Sequence, residues 1–251
     1  MTGSAITGTP LGSDAPCVVV LHEVWGLDSH IADVCKRLRK LGFATAVPDL
    51  YRGKEDLLTR PNIQKAMEAV WDLSLEERRD KEKVAAELAR RGADGTIEVL
   101  AVLYDQRFRR KILEITLEAV GEARAKHRRV ATLGFSLGGG LSLAAVAAGA
   151  PLDAAVAYCA EPPKSGLGGR SVPVLAIYAS QDELMNPRVP AFIDAALKQE
   201  DNLTIRVLPN TRHDFFNRTK EDFNRAAADE AWKLTEWFLA GKLRRRRSSK
   251  K

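Results

Sequence analysis

A serine with a glycine two residues away on each side is the clearest candidate for covalent chemistry in this chain. The segment reads Gly134-Phe135-Ser136-Leu137-Gly138, with an apolar run before it and an Ala/Leu/Gly-rich stretch after it. This pattern predicts a strand, a sharp turn and a helix, with the serine at the apex of the turn. The N–H of Leu137 would then point to where an oxyanion forms. Taken alone, the pentapeptide is also compatible with an ordinary glycine-rich turn.

A serine nucleophile needs a base within hydrogen-bond reach and a carboxylate that orients the base. The chain has four histidines, at positions 22, 30, 127 and 213. His213 lies between the last predicted strand and the final predicted helix, at the same sheet edge as Ser136. We therefore expect His213 to be the base, although a histidine in a surface loop is the alternative. We expect His30 and His127 to be surface groups and His22 to be a satisfied core group.

The orienting carboxylate is predicted to be Asp182, which directly follows an apolar strand. Its position at the carboxyl end of that strand lets it accept the Nδ1–H of His213. Glu183 and Asp214 are competing candidates, and Asp182 could instead be a capping or turn residue. The order Ser136, Asp182, His213 along the chain is that of the α/β-hydrolases.

The surrounding elements alternate between strands and helices, which is typical of an α/β fold. A β-α-β pattern near the start favours parallel pairing. We predict an α/β-hydrolase fold with a mostly parallel central sheet of about six to eight strands and helices on both faces. The predicted strands are Cys17–His22, Ala44–Pro48, Val130–Gly134, Ala154–Tyr158, Val174–Ala179 and Leu203–Leu208. The predicted helices between them begin at a Ser29 cap and cover Gly138–Ala148, Val189–Leu197 and Lys220–Leu239.

Residues 54–127 interrupt this alternation with a charged, helix-favouring segment. Helices are predicted at Asn62–Trp71, Leu75–Arg91 and Arg107–Lys126. The segment could form a lid over the site or pack on one flank of the sheet. We predict one α/β-hydrolase domain over residues 1–243, with this helical insert, followed by a basic tail at 244–251.

Composition excludes several classes of protein. The chain has 251 residues, of which 45% are hydrophobic and 29% charged, with no predicted membrane span or signal peptide. Its three cysteines are far apart, which predicts free thiols, a cytoplasmic location and no metal site. The net charge is +6, and four arginines and two lysines in residues 244–251 contribute all of it. We therefore do not expect nucleic acid as a partner, because the rest of the chain offers no basic face with interleaved aromatic residues.

Two further segments give the chain a family resemblance. HEVWGL at residues 22–27 follows the first core strand, and PDLY at residues 48–51 follows the second. Together with the Ser136 pentapeptide, Asp182 and the HDF sequence that begins at His213, they resemble the dienelactone hydrolase family. The similarity covers about residues 17–53 and 128–239.

This resemblance implies a role for each matching residue. Ser136 matches the nucleophile, Asp182 the acid and His213 the base. The N–H groups of Leu137 and Val24 match the two oxyanion donors. Beside them, Glu23 matches a glutamate that helps to activate the nucleophile, although a loop glutamate paired with an arginine is the alternative. Trp25 and Arg218 are candidate substrate-binding residues.

The chain departs from the family pattern in three ways. Serine stands at position 136, where the best-known members carry cysteine. The family's carboxylate-binding arginines have no secure match, since Arg218 follows His213 at a close but not identical spacing. The stretch before Cys17 is short for two full N-terminal strands.

These observations predict a serine hydrolase that cleaves a small ester or lactone through an acyl-enzyme, without a cofactor. A thioester, peptide or C–C bond hydrolase on the same triad is an alternative, because fold does not fix substrate. A non-catalytic binding module that uses the helical insert and the basic tail is the alternative from another class. The oligomeric state is not predicted.

Overall fold

The computed structural model describes residues 15–243, and its centre is a parallel sheet of six strands. The strands are β1 (Cys17–Leu21), β2 (Ala44–Ala46), β3 (Val130–Phe135), β4 (Ala154–Tyr158), β5 (Val174–Ala179) and β6 (Leu203–Leu208). They lie side by side in the order β2-β1-β3-β4-β5-β6, and every neighbouring pair is parallel. The α/β-hydrolase expectation is therefore confirmed. Most of the stretch before Cys17 and the whole basic segment 244–251 lie outside the described residues.

Eight α-helices surround this sheet in the described part of the chain. They are α1 (Ser29–Lys40), α2 (Arg60–Ala69), α3 (Lys81–Arg91), α4 (Ile97–Leu103), α5 (Gln106–Lys126), α6 (Leu137–Ala147), α7 (Val189–Gln199) and α8 (Arg225–Leu243). None of the helices within residues 15–243 combines the length and the hydropathy that a membrane span needs.

Successive residues of a strand point to opposite faces of the sheet, which produces two apolar layers. In β1, Val19 and Leu21 face the layer that contains α6 and the helical insert. Val18 and Val20 face the other layer, which contains α1 and α8. Because both faces are covered, β1, β3, β4 and β5 are buried along their whole length. This explains why their sequences are nearly continuous apolar runs rather than alternating ones.

Two predicted helix starts are wrong by a few residues. The side chain of Asp28, not Ser29, caps α1 by accepting the N–H of Ile31. The last helix begins at Arg225 rather than at residue 220, because Asn224 caps it through the N–H of Ala227. The loop that carries His213 is correspondingly longer than expected.

The helical insert contains four α-helices where three were predicted. The prediction missed α4, whose seven residues are mostly apolar and show no clear amphipathic period. The predicted Leu75–Arg91 helix begins only at Lys81, where Asp80 caps it, and a short 3-10 helix over Glu77–Arg79 precedes it. Ile112, Ile115 and other apolar residues of α5 join the sheet layer that contains α6. The insert therefore packs on one face of the sheet, next to the helix that follows the nucleophile turn.

Candidate active site

The turn between β3 and α6 holds Ser136 in a backbone conformation that residues other than glycine rarely adopt, with φ at 49°. Such strain persists only where the surrounding structure enforces it, and it is common at functional sites. A Cβ on Gly134 would lie 2.1 Å from the carbonyl oxygen of Gly138. A Cβ on Gly138 would lie 2.2 Å from the carbonyl oxygen of Leu21 in β1. Glycine is therefore required at both positions, because the neighbouring backbone leaves no room for a Cβ atom.

Ser136, His213 and Asp182 lie in one chain of hydrogen bonds, although 77 residues separate the first two in sequence. His213 Nε2 is 2.9 Å from Ser136 Oγ, and His213 Nδ1 is 2.7 Å from Asp182 Oδ2. The carboxylate fixes the tautomer in which Nδ1 carries the proton and leaves Nε2 to accept one. The structure thus brings together the three residues that the sequence singled out.

Asp182 is held rigidly at the end of β5. It is 1% exposed, and its Oδ1 accepts the N–H groups of Leu184 and Met185 at 3.1 Å each. Nearby, the N–H of Gln181 donates to the carbonyl oxygen of Thr211, which connects this loop to the loop that carries His213. The competitor Glu183 is exposed. Asp182 is therefore both a turn-forming residue and the partner of His213.

The electrostatics of the site favour a protonated imidazole. Burial alone would lower the pKa of His213, but the charge and hydrogen bond of Asp182 raise it. Asp214 and Glu23 add smaller contributions in the same direction, and the resulting pKa is about 9 against an ordinary 6.5. His213 thus binds a proton tightly, as expected for an imidazole that must stabilise positive charge next to a carboxylate.

The loop after β1 carries Val24, and the PDLY segment holds this loop in position. The Tyr51 hydroxyl donates to the carbonyl oxygen of Val24 at 2.6 Å. The N–H of Leu50 donates to His22 Nε2 at 3.2 Å, so Nδ1 of His22 carries the proton and donates to the carbonyl oxygen of Glu23 at 2.6 Å. His22 is fully buried with both nitrogens bonded, which confirms its prediction as a satisfied core group. Sequence reasoning missed the positioning role of Tyr51.

The N–H groups of Val24 and Leu137 have no acceptor within the described residues. Leu137 is the first residue of α6, where an N–H lacks an intrahelical partner. Both residues line the same cavity as Ser136. Two free donors beside a hydroxyl are the arrangement that stabilises an oxyanion.

Glu23 is buried behind the nucleophile and has no arginine partner among residues 15–243. Its Oε2 accepts a hydrogen bond from Asn217 Nδ2 at 3.0 Å, and its Oε1 lies 3.7 Å from His30 Nε2. Burial and the nearby charges of Asp214 and Asp28 raise the pKa of Glu23 from 4.5 to about 8. Asn217 is a contact that sequence reasoning missed.

His30 is not a surface group as expected, because it is only 6% exposed. Its ring packs edge-on against Phe135 and Phe216, and burial lowers its pKa to about 4. A signal for this burial was present in the sequence, since His30 lies one helical turn before the apolar Val34. His127, in contrast, is partly exposed, and its Nδ1–H donates to the carbonyl oxygen of Ala15 at 2.8 Å.

Cys159 also lies close to the pair of His213 and Asp182. One ligand atom from each of the three residues lies within 4.8 Å of the others. Cys159 is 3% exposed, and burial raises the pKa of its thiol well above 9.0. It shares with Ser136 only a small space of about 10 Å³ and does not line the larger cavity of about 380 Å³ at Ser136. Nδ1 of His213 and Oδ2 of Asp182 are already bonded to each other, so these two atoms are not free to bind a metal ion. As predicted, all three cysteines are free and buried.

A cavity of about 380 Å³ opens at Ser136. The helical insert supplies much of its apolar wall, and the loop after Asp182 supplies Leu184 and Met185. Ligand cavities for small molecules commonly have this size and character. Neither Trp25 nor Arg218 lines it. Instead, Trp25 lies under the ammonium of Lys220, and Arg218 is exposed near Phe223.

Comparison with known proteins identifies the family. The sequence profile of the dienelactone hydrolase family matches residues 4–241. The chain belongs to the dienelactone hydrolase family. A relative from Saccharolobus solfataricus, named "Putative carboxymethylenebutenolidase", is 29% identical over 228 residues, and the alignment covers 88% of each chain.

Solved structures of the dienelactone hydrolase type share the fold. A structure from Klebsiella pneumoniae titled "Putative Dienelactone Hydrolase" superposes with a TM-score of 0.67 at 20% identity, covering 92% of this chain and 89% of that one. A dienelactone hydrolase-like promiscuous phosphotriesterase from metagenomic libraries superposes with a TM-score of 0.64 at 18% identity, covering 92% and 88%. The match spans the helical insert as well as the sheet, which the resemblance seen in the sequence did not.

Proposed function

We propose that this member of the dienelactone hydrolase family is a serine hydrolase of small esters or lactones. The observation that carries the proposal is the continuous hydrogen-bond chain from Ser136 through His213 to Asp182, which opens on an apolar cavity of about 380 Å³. Among residues 15–243, no other serine forms a hydrogen bond with a histidine that is paired with a carboxylate.

The reaction proceeds in two steps through an acyl-enzyme. Ser136 Oγ attacks the carbonyl carbon while His213 Nε2 takes the hydroxyl proton, and the tetrahedral oxyanion accepts hydrogen bonds from the N–H groups of Val24 and Leu137. The C–O bond then breaks, and His213 returns the proton to the leaving alkoxide. Water attacks the acyl-enzyme with His213 again as base, which releases the acid and restores the serine. Each oxyanion donor is worth about 3–4 kcal/mol of barrier.

Ser136 is a better candidate for the nucleophile than Cys159. Ser136 lines the cavity of about 380 Å³ and its hydroxyl is within hydrogen-bond distance of the imidazole, whereas the Cys159 thiol is buried and its pKa is raised. A thiol acts as a nucleophile only as the thiolate, which burial disfavours here. Glu23, with a pKa of about 8, would influence the base through its charge rather than touch the substrate.

The proposal predicts that kcat/KM rises with pH over an unusually alkaline range. His213 accepts the serine proton only when neutral, and its pKa is about 9. We expect kcat/KM to rise between pH 7 and 9, above the range of an ordinary imidazole. Substrate-binding roles for Trp25 and Arg218 and a cytoplasmic location stay predictions.

Two matched alanine variants test the choice of nucleophile. With p-nitrophenyl butyrate as substrate, Ser136→Ala should lower kcat by at least about 10³-fold, and Cys159→Ala should keep it within about threefold. Thermal unfolding of both variants checks that they fold. Wild-type turnover by Ser136→Ala, or loss of turnover only in Cys159→Ala, would overturn the proposal. A panel of matched lactone, ester, thioester and peptide substrates then compares the alternatives on the same triad.

A further inference from the structure

A second and larger cleft of about 1170 Å³ lies next to the catalytic cavity. It is formed by the helical insert, mainly α4, the start of α5 and the turn that precedes α3. Arg78, Tyr104 and Arg109 line both the cleft and the catalytic cavity. The two spaces therefore adjoin at these three side chains.

The cleft concentrates positive charge. Of its 17 lining residues, eight are lysine or arginine, and Asp105 is the single acidic one. The carboxylate of Asp105 is already engaged, because it caps α5 by accepting the N–H groups of Arg107 and Phe108. The whole chain has a net charge of +6, and the six basic residues in 244–251 account for all of it. The cleft is thus a local excess of positive charge within residues 1–243, which carry no net charge as a whole.

Several of these cations have no carboxylate partner. Within residues 15–243, no acidic side chain lies within ion-pair distance of Lys54, Lys81, Arg107 or Arg110. Arg79 and Arg109 share one carboxylate, that of Glu161, which lines the catalytic cavity rather than the cleft. In addition, Nε of Arg109 is buried without a hydrogen-bond acceptor. The side chains of residues 54, 81, 107 and 110 are exposed, and the charges of Lys81 and Arg107 also act on Asp105. An anion that binds among like charges lowers their mutual repulsion.

We propose that the cleft binds the phosphoryl groups of the substrate's alcohol or thiol half. The acyl group would lie in the cavity at Ser136. Two or more phosphoryl groups would lie among the side chains that have no ion-pair partner, which are those of Lys54, Lys81, Arg107 and Arg110. Tyr104 and Phe108 offer an aromatic surface for the part between or beside the phosphates. The substrate class is then a small acyl ester or thioester of a polyphosphorylated alcohol or thiol. Its hydrolysis rests on the proposed function, whereas its binding does not.

Calorimetry of the full chain with inorganic pyrophosphate tests the cleft without using catalysis. The variant Lys54→Ala/Lys81→Ala/Arg107→Ala removes three cleft charges. The control Lys36→Ala/Lys233→Ala/Arg128→Ala removes the same charge from exposed sites elsewhere. Both variants keep the basic segment 244–251, so any anion bound there affects them equally. We expect the cleft variant to weaken the affinity at least about tenfold and the control to change it less than about twofold.

Three outcomes of this titration would overturn the proposal. The first is the same pyrophosphate affinity in the cleft variant and the control variant, and the second is no binding to the wild type at low-millimolar concentration. The third is binding of citrate as tight as that of pyrophosphate at equal ionic strength, since it would show a site for anions in general rather than for phosphoryl groups.

A competition experiment tests whether the cleft and the catalytic cavity bind one ligand. Coenzyme A and pantetheine share a thiol end, but only coenzyme A carries phosphates. Against p-nitrophenyl acetate, we expect coenzyme A to inhibit competitively and at least about tenfold more strongly than pantetheine, with the ratio falling toward one in the cleft variant. Equal inhibition by both compounds in the wild type would refute a shared ligand. If the serine mechanism itself is wrong, Ser136→Ala still turns over the ester while the pyrophosphate titration is unaffected.

Discussion

Two glycines show how differently the sheet edge and the helical insert are built. A Cβ on Gly138, after the nucleophile, would collide with the backbone of β1 at 2.2 Å, whereas a Cβ on Gly121 in α5 would meet nothing within 4 Å. At the sheet edge, close backbone contacts and buried hydrogen bonds fix the reacting groups. In the insert, side chains on exposed helices form the walls of the cavity and the cleft. The sheet edge therefore fixes the candidate catalytic groups, and the insert forms much of the wall of the space beside them.

Among substitutions that leave the nucleophile in place, Asp182→Asn should have the largest effect on activity, because it acts at the sheet edge. The amide cannot balance the charge of the imidazolium and favours the wrong tautomer of His213, so we expect kcat to fall by about 10⁴-fold. Steady-state kinetics with p-nitrophenyl butyrate measures this loss. The exposed neighbour gives the control, since Glu183→Gln should stay within about twofold. Similar losses in both variants would show that the choice of Asp182 over Glu183 is wrong.

Gly138→Ala should cause the largest loss of stability. The added methyl group would lie 2.2 Å from the carbonyl oxygen of Leu21 and 2.6 Å from that of His22, and neither backbone can move without distorting the sheet. We expect the free energy of unfolding in urea to fall by at least about 3 kcal/mol, or the variant not to fold. A change below about 1 kcal/mol would mean that the turn is looser than the close contacts indicate.

Glu23→Gln should change how stability depends on pH. The folded protein holds the proton of Glu23 up to about pH 8, while the unfolded chain loses it near 4.5, so unfolding of the wild type becomes easier as pH rises through this window. Glutamine cannot ionise, and it keeps a hydrogen-bonding group next to Asn217. We therefore expect the variant to gain roughly 1–3 kcal/mol relative to the wild type between pH 5 and pH 9.

Urea denaturation at both pH values measures this gain for Glu23→Gln. A difference between variant and wild type that stays constant over the range would show that Glu23 ionises with an ordinary pKa. The matched change Glu55→Gln, at an exposed position in the insert, should show no such gain.

Gly121→Ala should have the smallest effect, with a sign opposite to that of Gly138→Ala. Glycine destabilises the middle of a helix, and α5 leaves room for a methyl group at this exposed position. We expect a gain of about 0.5–1 kcal/mol in the free energy of unfolding, with kcat/KM unchanged. A loss of stability would indicate that α5 packs more tightly against its surroundings than the contacts show.

The sequence was sufficient to predict the parts that depend on short-range patterns. Strands β4, β5 and β6 were predicted at their observed bounds. β4 and β5 are fully buried parallel strands, which are short apolar runs flanked by turn signals, whereas the edge strand β6 is partly exposed and alternates apolar with polar residues. The convergence of Ser136, Asp182 and His213 followed from their positions at strand ends. Chain order and the parallel sheet were enough to bring them to one edge.

The parts that depend on tertiary packing were not predictable. Nothing in the seven mostly apolar residues of α4 distinguishes a helix from a strand until their neighbours are known. The basic cleft was also missed, because its cations come from separate helices and loops, and their grouping exists only after folding. Asn217, 194 residues from Glu23 in sequence, shows the same limit for a single hydrogen bond.

Covalent trapping is the most direct test that Ser136 is the nucleophile. The wild type, Ser136→Ala and Cys159→Ala are treated with a fluorophosphonate, and the modified peptide is identified by mass spectrometry. We predict one adduct on Ser136 in the wild type and in Cys159→Ala, with loss of esterase activity in proportion to labelling, and no adduct in Ser136→Ala. An adduct on another residue, or full activity after complete labelling of Ser136, would contradict the account.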